Sequence, residues 1–199
     1  MVTELDVLIY PALLIVDVQN DFCPDGALAV PNGDRVLDPL NKIIRFFVEH
    51  RKSIFFSCEQ HPENTKHFLK WPPHCVVGTN GAAFHPRLEV PKGAYILSKG
   101  ADPDKDGYSA FEGSAFGNLF ETLLLDFGIT KLYVGGLATD YCVKASCLDA
   151  RKLGYDVSLL TDACRAVNLK PTDETDALEE MHRAGVVFTT TDDALSEVR

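Results

Sequence analysis

An apolar run, Lys131 to Val134, stops at Gly135-Gly136, and six residues later Cys142 opens a segment with helical spacing, Val143 to Leu153. A thiol at a strand-to-helix turn meets helix N-terminal amides and the helix dipole, which favour a thiolate. Free amides of the Ala138–Cys142 turn can hold a developing oxyanion. These residue types suit nucleophilic attack on a carbonyl carbon, although a small buried cysteine packing behind a turn has the same local sequence. Its company matters more. Asp17 ends an apolar strand-like run, and Lys99 follows another. On one sheet edge, Asp17 would take the thiol proton and later deliver it to a leaving amine. Lys99 would hold that carboxylate and bias the local charge. Separately placed, the aspartate is a turn former and the lysine a solvated surface charge. A second group lies between them in sequence: Glu59, His61, His67 and His74. Three imidazoles and a carboxylate can bind one divalent transition ion and leave positions open, or they can be polar loop surface.

These residues need elements that bring them together. Strand-like runs cover Ala12 to Val18, Ser53 to Cys58, Ala94 to Ser98, Lys131 to Val134, Asp156 to Leu160 and Val186 to Thr190. Helical spacing covers Val36 to Arg51, Ser114 to Phe127, the segment after Cys142, and Thr172 to Ala184. Strands alternating with helices predict an α/β fold, three layers deep, with a mostly parallel, doubly wound sheet of six strands. Active sites of such sheets lie beyond the carboxyl ends of the strands, where Asp17, Glu59, Lys99 and Cys142 all fall. Two long irregular stretches, Glu59 to Gly93 and Gly100 to Gly113, carry the remaining candidates, and loops of that length are usually functional.

The composition narrows the partners. The formal net charge is −10 and no basic run occurs, which argues against a nucleic-acid surface. No apolar run reaches membrane-spanning length. Met1 to Tyr10 lacks the basic start and long apolar core of a signal peptide. Six cysteines are scattered without a CxxC pair, for which reduced thiols in a cytosol-like compartment are the simplest reading, with an organelle as the alternative. The 199 residues suit one domain. His85 reads as structural, and His50 and His182 receive no role.

Taken together, these blocks resemble the nicotinamidases (pyrazinamidases) of the isochorismatase-like cysteine hydrolases, from about Ala12 to Thr191. The resemblance is carried by Val16-Asp17-Val18-Gln19-Asn20-Asp21-Phe22, the His61…His67 loop, Trp71-Pro72-Pro73-His74-Cys75-Val76, Ser98-Lys99-Gly100, Tyr108-Ser109-Ala110-Phe111, Gly136 to Val143, and Thr161-Asp162-Ala163. It implies hydrolysis of nicotinamide to nicotinate and ammonia, with pyrazinamide as a further substrate, serving NAD salvage. Cys142 matches the nucleophile that forms a thioester, Asp17 the acid/base and Lys99 its basic partner. The bond before Ala138 matches a cis peptide, and the Ala138 and Cys142 amides match an oxyanion hole. Phe22, Trp71 and Tyr108 match the aromatic walls of a pyridine pocket.

The resemblance also implies one metal ion, zinc before iron or manganese, held by His61, His67 and His74. Glu59 stands where the family has an aspartate, and Gln60 where an aromatic residue is usual; Glu63 offers a substitute carboxylate. Homo-oligomers are common in the family. Another amidase of the same superfamily, using Asp17, Lys99 and Cys142 on a different amide, would dispense with the three histidines. A non-enzymatic relative would have lost the Asp, Lys or Cys. All six are present.

Overall fold

The structure is a computed structural model and describes residues 10–198. The signal-peptide reading therefore falls on residues that, Tyr10 aside, lie outside the described ones. Strand β1 (Pro11–Val16) is buried almost throughout and pairs in parallel with β2 (Ile54–Glu59) on one side and β6 (Lys131–Leu137) on the other. Its side chains alternate between two cores, as strand geometry requires. Leu13 and Ile15 pack with Leu40, Ile43 and Phe47 of α1 (Leu37–Glu49), whereas Ala12, Leu14 and Val16 face the opposite core. That second core draws on Leu124 of α2 (Phe120–Asp126) and Met181 of α4 (Asp173–Arg183). Between them in the chain, α3 (Lys144–Lys152) contributes Cys147 to the same core. Helices thus cover both faces of the sheet, which explains why β1 reads as a continuous apolar run.

Among the described residues the sheet has eight strands rather than six, in the order β5-β4-β3-β2-β1-β6-β7-β8. Strands β3 (Tyr95–Lys99), β7 (Asp156–Arg165) and β8 (Val187–Thr189) join β1, β2 and β6 in parallel, so the six expected strands form the body of the sheet. The two extra strands, β4 (Ser114–Ala115) and β5 (Asn118–Leu119), form an antiparallel hairpin at the β3 edge. They replace the first part of the helix expected from Ser114. Phe116 and Gly117 both have positive φ, 51° and 81°, the pattern of a two-residue type I′ turn. Apolar residues at 116, 119 and 120 imitate helical spacing, but the turn governs. A last helix, α5 (Thr191–Glu197), was not foreseen. Its signal is the Thr190 hydroxyl, which accepts the Asp193 amide at 3.2 Å.

Strand order reverses between β1 and β6, and crossovers leave in opposite directions there. Gly136 makes the close pairing possible. It sits at φ +130°, opposite Val16, and a Cβ added there would lie 2.1 Å from the Val16 carbonyl oxygen. The ends of β1, β2, β3 and β6 converge on one edge.

Candidate active site

Three consecutive strands each deliver a buried charged residue to that edge. Asp17 follows β1 with a left-handed φ of 49°, Glu59 ends β2 and Lys99 ends β3. The register sets Glu59 beside Lys99. Lys99 Nζ is fully buried and lies 2.8 Å from Asp17 Oδ2 and 2.9 Å from Glu59 Oε1. It donates to the Gly107 carbonyl at 2.8 Å and lies 3.5 Å from Cys142 Sγ. The thiol in turn donates to Glu59 Oε1 at 3.3 Å. Asp17 Oδ1 accepts the Ser57 hydroxyl at 2.7 Å. Oδ2 forms the ion pair but accepts no aligned hydrogen bond. Asp17, Glu59 and Cys142 place their polar atoms within 4.8 Å of one another. The structure therefore brings the three sequence candidates together and adds Glu59 to them.

The electrostatics follow from burial. Desolvation works against the Lys99 ammonium, but the Asp17 and Glu59 carboxylates outweigh it and push its pKa well above the ordinary lysine value. Burial raises Asp17 above the usual carboxylate value against the pull of Lys99, with the Glu59 charge adding to the rise. Burial acts the same way on Glu59, yet the neighbouring Lys99 charge outweighs it, so Glu59 stays well below the ordinary range. Cys142 is raised well above the ordinary thiol, first by burial, and the Lys99 charge does not compensate for it and the two carboxylates. Burial thus opposes the thiolate that the turn favours. The turn differs too. Residues Thr139–Val143 form a π-helical turn ahead of α3, with Cys142 as its fourth residue. The Leu137–Ala138 peptide is cis, in agreement with the expectation for this position.

The histidines form a second buried group. Nitrogen atoms of His61, His67 and His74 lie within 4.8 Å of one another. Each ring has an acceptor at Nδ1: the Gly100 carbonyl at 3.0 Å, Asp106 Oδ1 at 3.0 Å and the Pro72 carbonyl at 2.8 Å, respectively. A neutral ring that donates through Nδ1 keeps its lone pair on Nε2. Burial holds His67 below the usual imidazole value, ahead of the opposing Asp106 bond. Glu59 Oε2 lies 3.1 Å from His61 Nε2 and 3.2 Å from His74 Nε2. Lone pairs would face a carboxylate there unless a cation lies between. Ligand atoms each about 2.1 Å from one ion stand roughly 3.0–3.4 Å apart at octahedral to tetrahedral angles. The donor set therefore fits a divalent ion, with Glu59 Oε2 able to join it directly. Glu63 is exposed and stands outside the group. Among the other histidines, His50 Nδ1 meets the Phe46 carbonyl at the end of α1, and His85 Nδ1 accepts the Arg87 amide.

A cavity of about 350 Å³, counting its open mouth, joins the two groups. Cys142, Ala138, Glu59, His67 and His74 line it on the polar side, with Phe22, Trp71 and Tyr108 among its aromatic walls. Trp71 Nε1 donates to the Tyr108 hydroxyl at 3.0 Å, which ties two walls together. Sequence reasoning missed Tyr141, which packs edge-on against Trp71 with centroids 5.0 Å apart. It also missed Leu28, Val30 and Val167, contributed from remote segments. Gln19 was missed as well: its amide donates to the Glu59 carbonyl at 2.9 Å and accepts the Glu59 amide at 2.8 Å. A glutamine two residues past Asp17, just beyond the apolar run, was the available signal.

The model of the isochorismatase domain matches residues 11–193. A nicotinamidase of Escherichia coli strain K12 is 40% identical over 200 residues, covering 90% of this chain and 94% of its own. A pyrazinamidase of Pyrococcus horikoshii, solved in complex with zinc, is 42% identical with a TM-score of 0.83, over 91% of this chain and 99% of its own. PnC1 of L. infantum, solved in complex with nicotinate, is 33% identical with a TM-score of 0.81, over 94% and 98%. Sequence and architecture agree along nearly the whole of each relative, and on that agreement the chain belongs to the isochorismatase-domain family.

Proposed function

We infer that this chain hydrolyses nicotinamide to nicotinate and ammonia, that it also accepts pyrazinamide, and that it serves NAD salvage. One observation carries this: a single aromatic cavity is lined by the Cys142 thiol and by two of the converging histidines. A flat pyridine ring suits those walls. The names and bound ligand of the relatives in E. coli, P. horikoshii and L. infantum support the same substrate class.

The chemistry divides among the chain's own residues. Cys142 Sγ attacks the carboxamide carbon as its proton passes to Asp17 Oδ2, the buried oxygen without an aligned hydrogen bond. The amides of Ala138 and Cys142 hold the oxyanion. Asp17 returns the proton to the departing nitrogen, the C–N bond breaks, and ammonia leaves a nicotinoyl thioester. Water then attacks that carbonyl while Asp17 takes its proton. The C–S bond breaks, giving nicotinate and the restored thiol. Lys99 stays charged throughout and holds Asp17 in place. Phe22, Trp71 and Tyr108 orient the ring. His61, His67, His74 and Glu59 would hold the divalent ion, zinc before iron or manganese. Such an ion supplies a Lewis-acid anchor for the ring nitrogen.

The whole chain, 1–199, is taken as one catalytic domain. Its partner is a small molecule; the acidic charge disfavours nucleic acid. Among the described residues no helix is long and apolar enough to cross a membrane, and all six cysteines are unpaired. These facts support a reducing, cytoplasmic setting. Homo-oligomerisation is carried over from the family.

Ammonia release from nicotinamide by the purified protein tests this reading. Cys142→Ala should abolish turnover and leave the fold intact by circular dichroism. Retained turnover in that variant refutes the nucleophile assignment, and no turnover by the parent protein on nicotinamide refutes the substrate.

A further inference from the structure

We propose that loop 100–107 organises the histidine site, with Asp106 as the positioning residue that sets His67. The inference rests on the metal reading above and gives a role to the acidic, turn-rich segment that the catalytic chemistry leaves unused. The two ends of the loop are pinched together. Gly100 and Gly107 have φ of +77° and +72°, and a Cβ on Gly107 would lie 2.6 Å from Gly100 Cα. A Cβ on Gly100 would lie 2.7 Å from His61 Cε1, so the neck of the loop rests on that ring. Closed loops of this kind are compact units with their own packing.

Each part of the neck and tip meets a site residue. The Gly100 carbonyl accepts His61 Nδ1 at 3.0 Å, and the Gly107 carbonyl accepts Lys99 Nζ at 2.8 Å. At the tip, the Pro103 carbonyl accepts the Lys66 amide at 2.8 Å, clasping the segment that carries His67. Asp106 Oδ1 accepts His67 Nδ1 at 3.0 Å, and Oδ2 accepts Lys70 Nζ at 2.7 Å. Of the three Nδ1 acceptors, Asp106 alone is a side chain; the others are backbone carbonyls. An acceptor behind an imidazole fixes its tautomer and rotation. Asp106 therefore acts through His67, holding Nε2 toward the other two rings, while Lys70 keeps the carboxylate in position.

The test is zinc affinity, measured on the full-length protein by competition with a chromophoric chelator. Loss of such an outer partner typically weakens metal binding about 10–100-fold, and Asp106→Ala should show that loss. Asp106→Asn keeps an oxygen acceptor for Nδ1 and should recover most of it. Lys105→Ala, on the same loop with its side chain 69% exposed, should bind zinc like the parent protein. The visible spectrum of the cobalt-loaded protein should change in Asp106→Ala and return in Asp106→Asn. Parental zinc affinity in Asp106→Ala overturns the proposal and leaves the metal reading standing. Asp106→Asn binding no better than Asp106→Ala also overturns it, because the loss would then come from the Lys70 pair. No zinc binding by the parent protein overturns both.

Discussion

Replacing Lys99 by methionine tests the electrostatic core of the site most severely. The methionine keeps most of the buried stem but removes the ammonium that lies 2.8 Å from Asp17 and 2.9 Å from Glu59. Breaking a buried ion pair from one side costs about 3–5 kcal/mol, because the partner charge stays buried without compensation. In a chain of this size each kcal/mol lowers the melting midpoint by about 2–4 °C, so Lys99→Met should melt roughly 6–20 °C lower near neutral pH. The pH dependence carries the stronger prediction. Lys99 pulls both carboxylates downward in the parent protein, against burial. Without it Asp17, already raised, should climb further, and Glu59 should rise above its unfolded value. A carboxylate raised in the folded state binds its proton there more tightly than in the unfolded chain. The resulting destabilisation is complete above the folded pKa and vanishes as pH falls toward the unfolded one.

Urea unfolding with chelator present, compared at pH 7.5 and at pH 5, reads both effects. The stability gap between Lys99→Met and the parent protein should be wide at the higher pH and narrower at the lower one. Adding Glu59→Gln to Lys99→Met should return part of the loss, so the double variant should be more stable than the sum of the singles. A variant as stable as the parent protein at pH 7.5 refutes the reasoning. So does a loss that is the same at both pH values, since that pattern belongs to lost packing rather than to uncompensated charge.

Two further outcomes follow from the same geometry. Asp17→Asn should lower ammonia release by about 10²–10⁴-fold, the usual worth of a positioned acid/base, with the loss in kcat rather than KM. In the proposed mechanism Asp17 acts as its anion, and burial raises its pKa above the ordinary carboxylate value of 3.8; kcat/KM should therefore fall as pH drops through that raised value, and an acid limb absent from a pH–rate profile would contradict the assignment. Gly136→Ala should fail to accumulate as folded protein, since the added carbon meets a backbone oxygen at 2.1 Å, whereas Gly135→Ala meets the movable tip of Leu40 at 2.9 Å and should fold with a modest loss in melting temperature; similar stability in the two variants would contradict this account of the β1–β6 pairing.

The parts of the site that were legible in the sequence share a physical cause. Asp17 and Lys99 each interrupt an apolar run at its end, and parallel strands put such ends on one edge. That logic needs no knowledge of side-chain contacts. Cys142 was visible for the same reason, as a reactive residue type just past a strand and a glycine pair. What escaped depends on tertiary placement. The protonation of Cys142 is set by burial and by two carboxylates from other strands, which the turn sequence does not encode. Leu28, Val30 and Val167 reach the cavity from irregular segments with no periodicity to mark them. The hairpin at 114–119 was hidden because Phe116 is a poor residue for a left-handed turn, so the adjacent glycine alone gave little warning. Glu59 was visible as a candidate ligand, but the division of its two oxygens between the thiol cluster and the histidines was not.

Two carboxylates face one thiol, and their environments assign them different work. Glu59 Oε1 is within hydrogen-bonding distance of Sγ, at 3.3 Å. By distance alone it is the obvious proton acceptor. Yet the Lys99 charge holds it well below the ordinary carboxylate range, and an anion stabilised so strongly is a weak base. Asp17 is raised instead, since burial outweighs its share of Lys99, and its Oδ2 is the oxygen left without an aligned hydrogen bond. A proton acceptor gains efficiency as its pKa approaches the working pH. The raised thiol sharpens the requirement: Cys142 becomes nucleophilic only if its proton moves as the bond to carbon forms, so the acceptor must be both close and basic. Environments that push two neighbouring carboxylates apart in this way separate the proton carrier from the fixed charge. These environments favour the proposed role of Asp17 as proton carrier and leave Glu59 to balance Lys99 through one oxygen and face the histidines with the other.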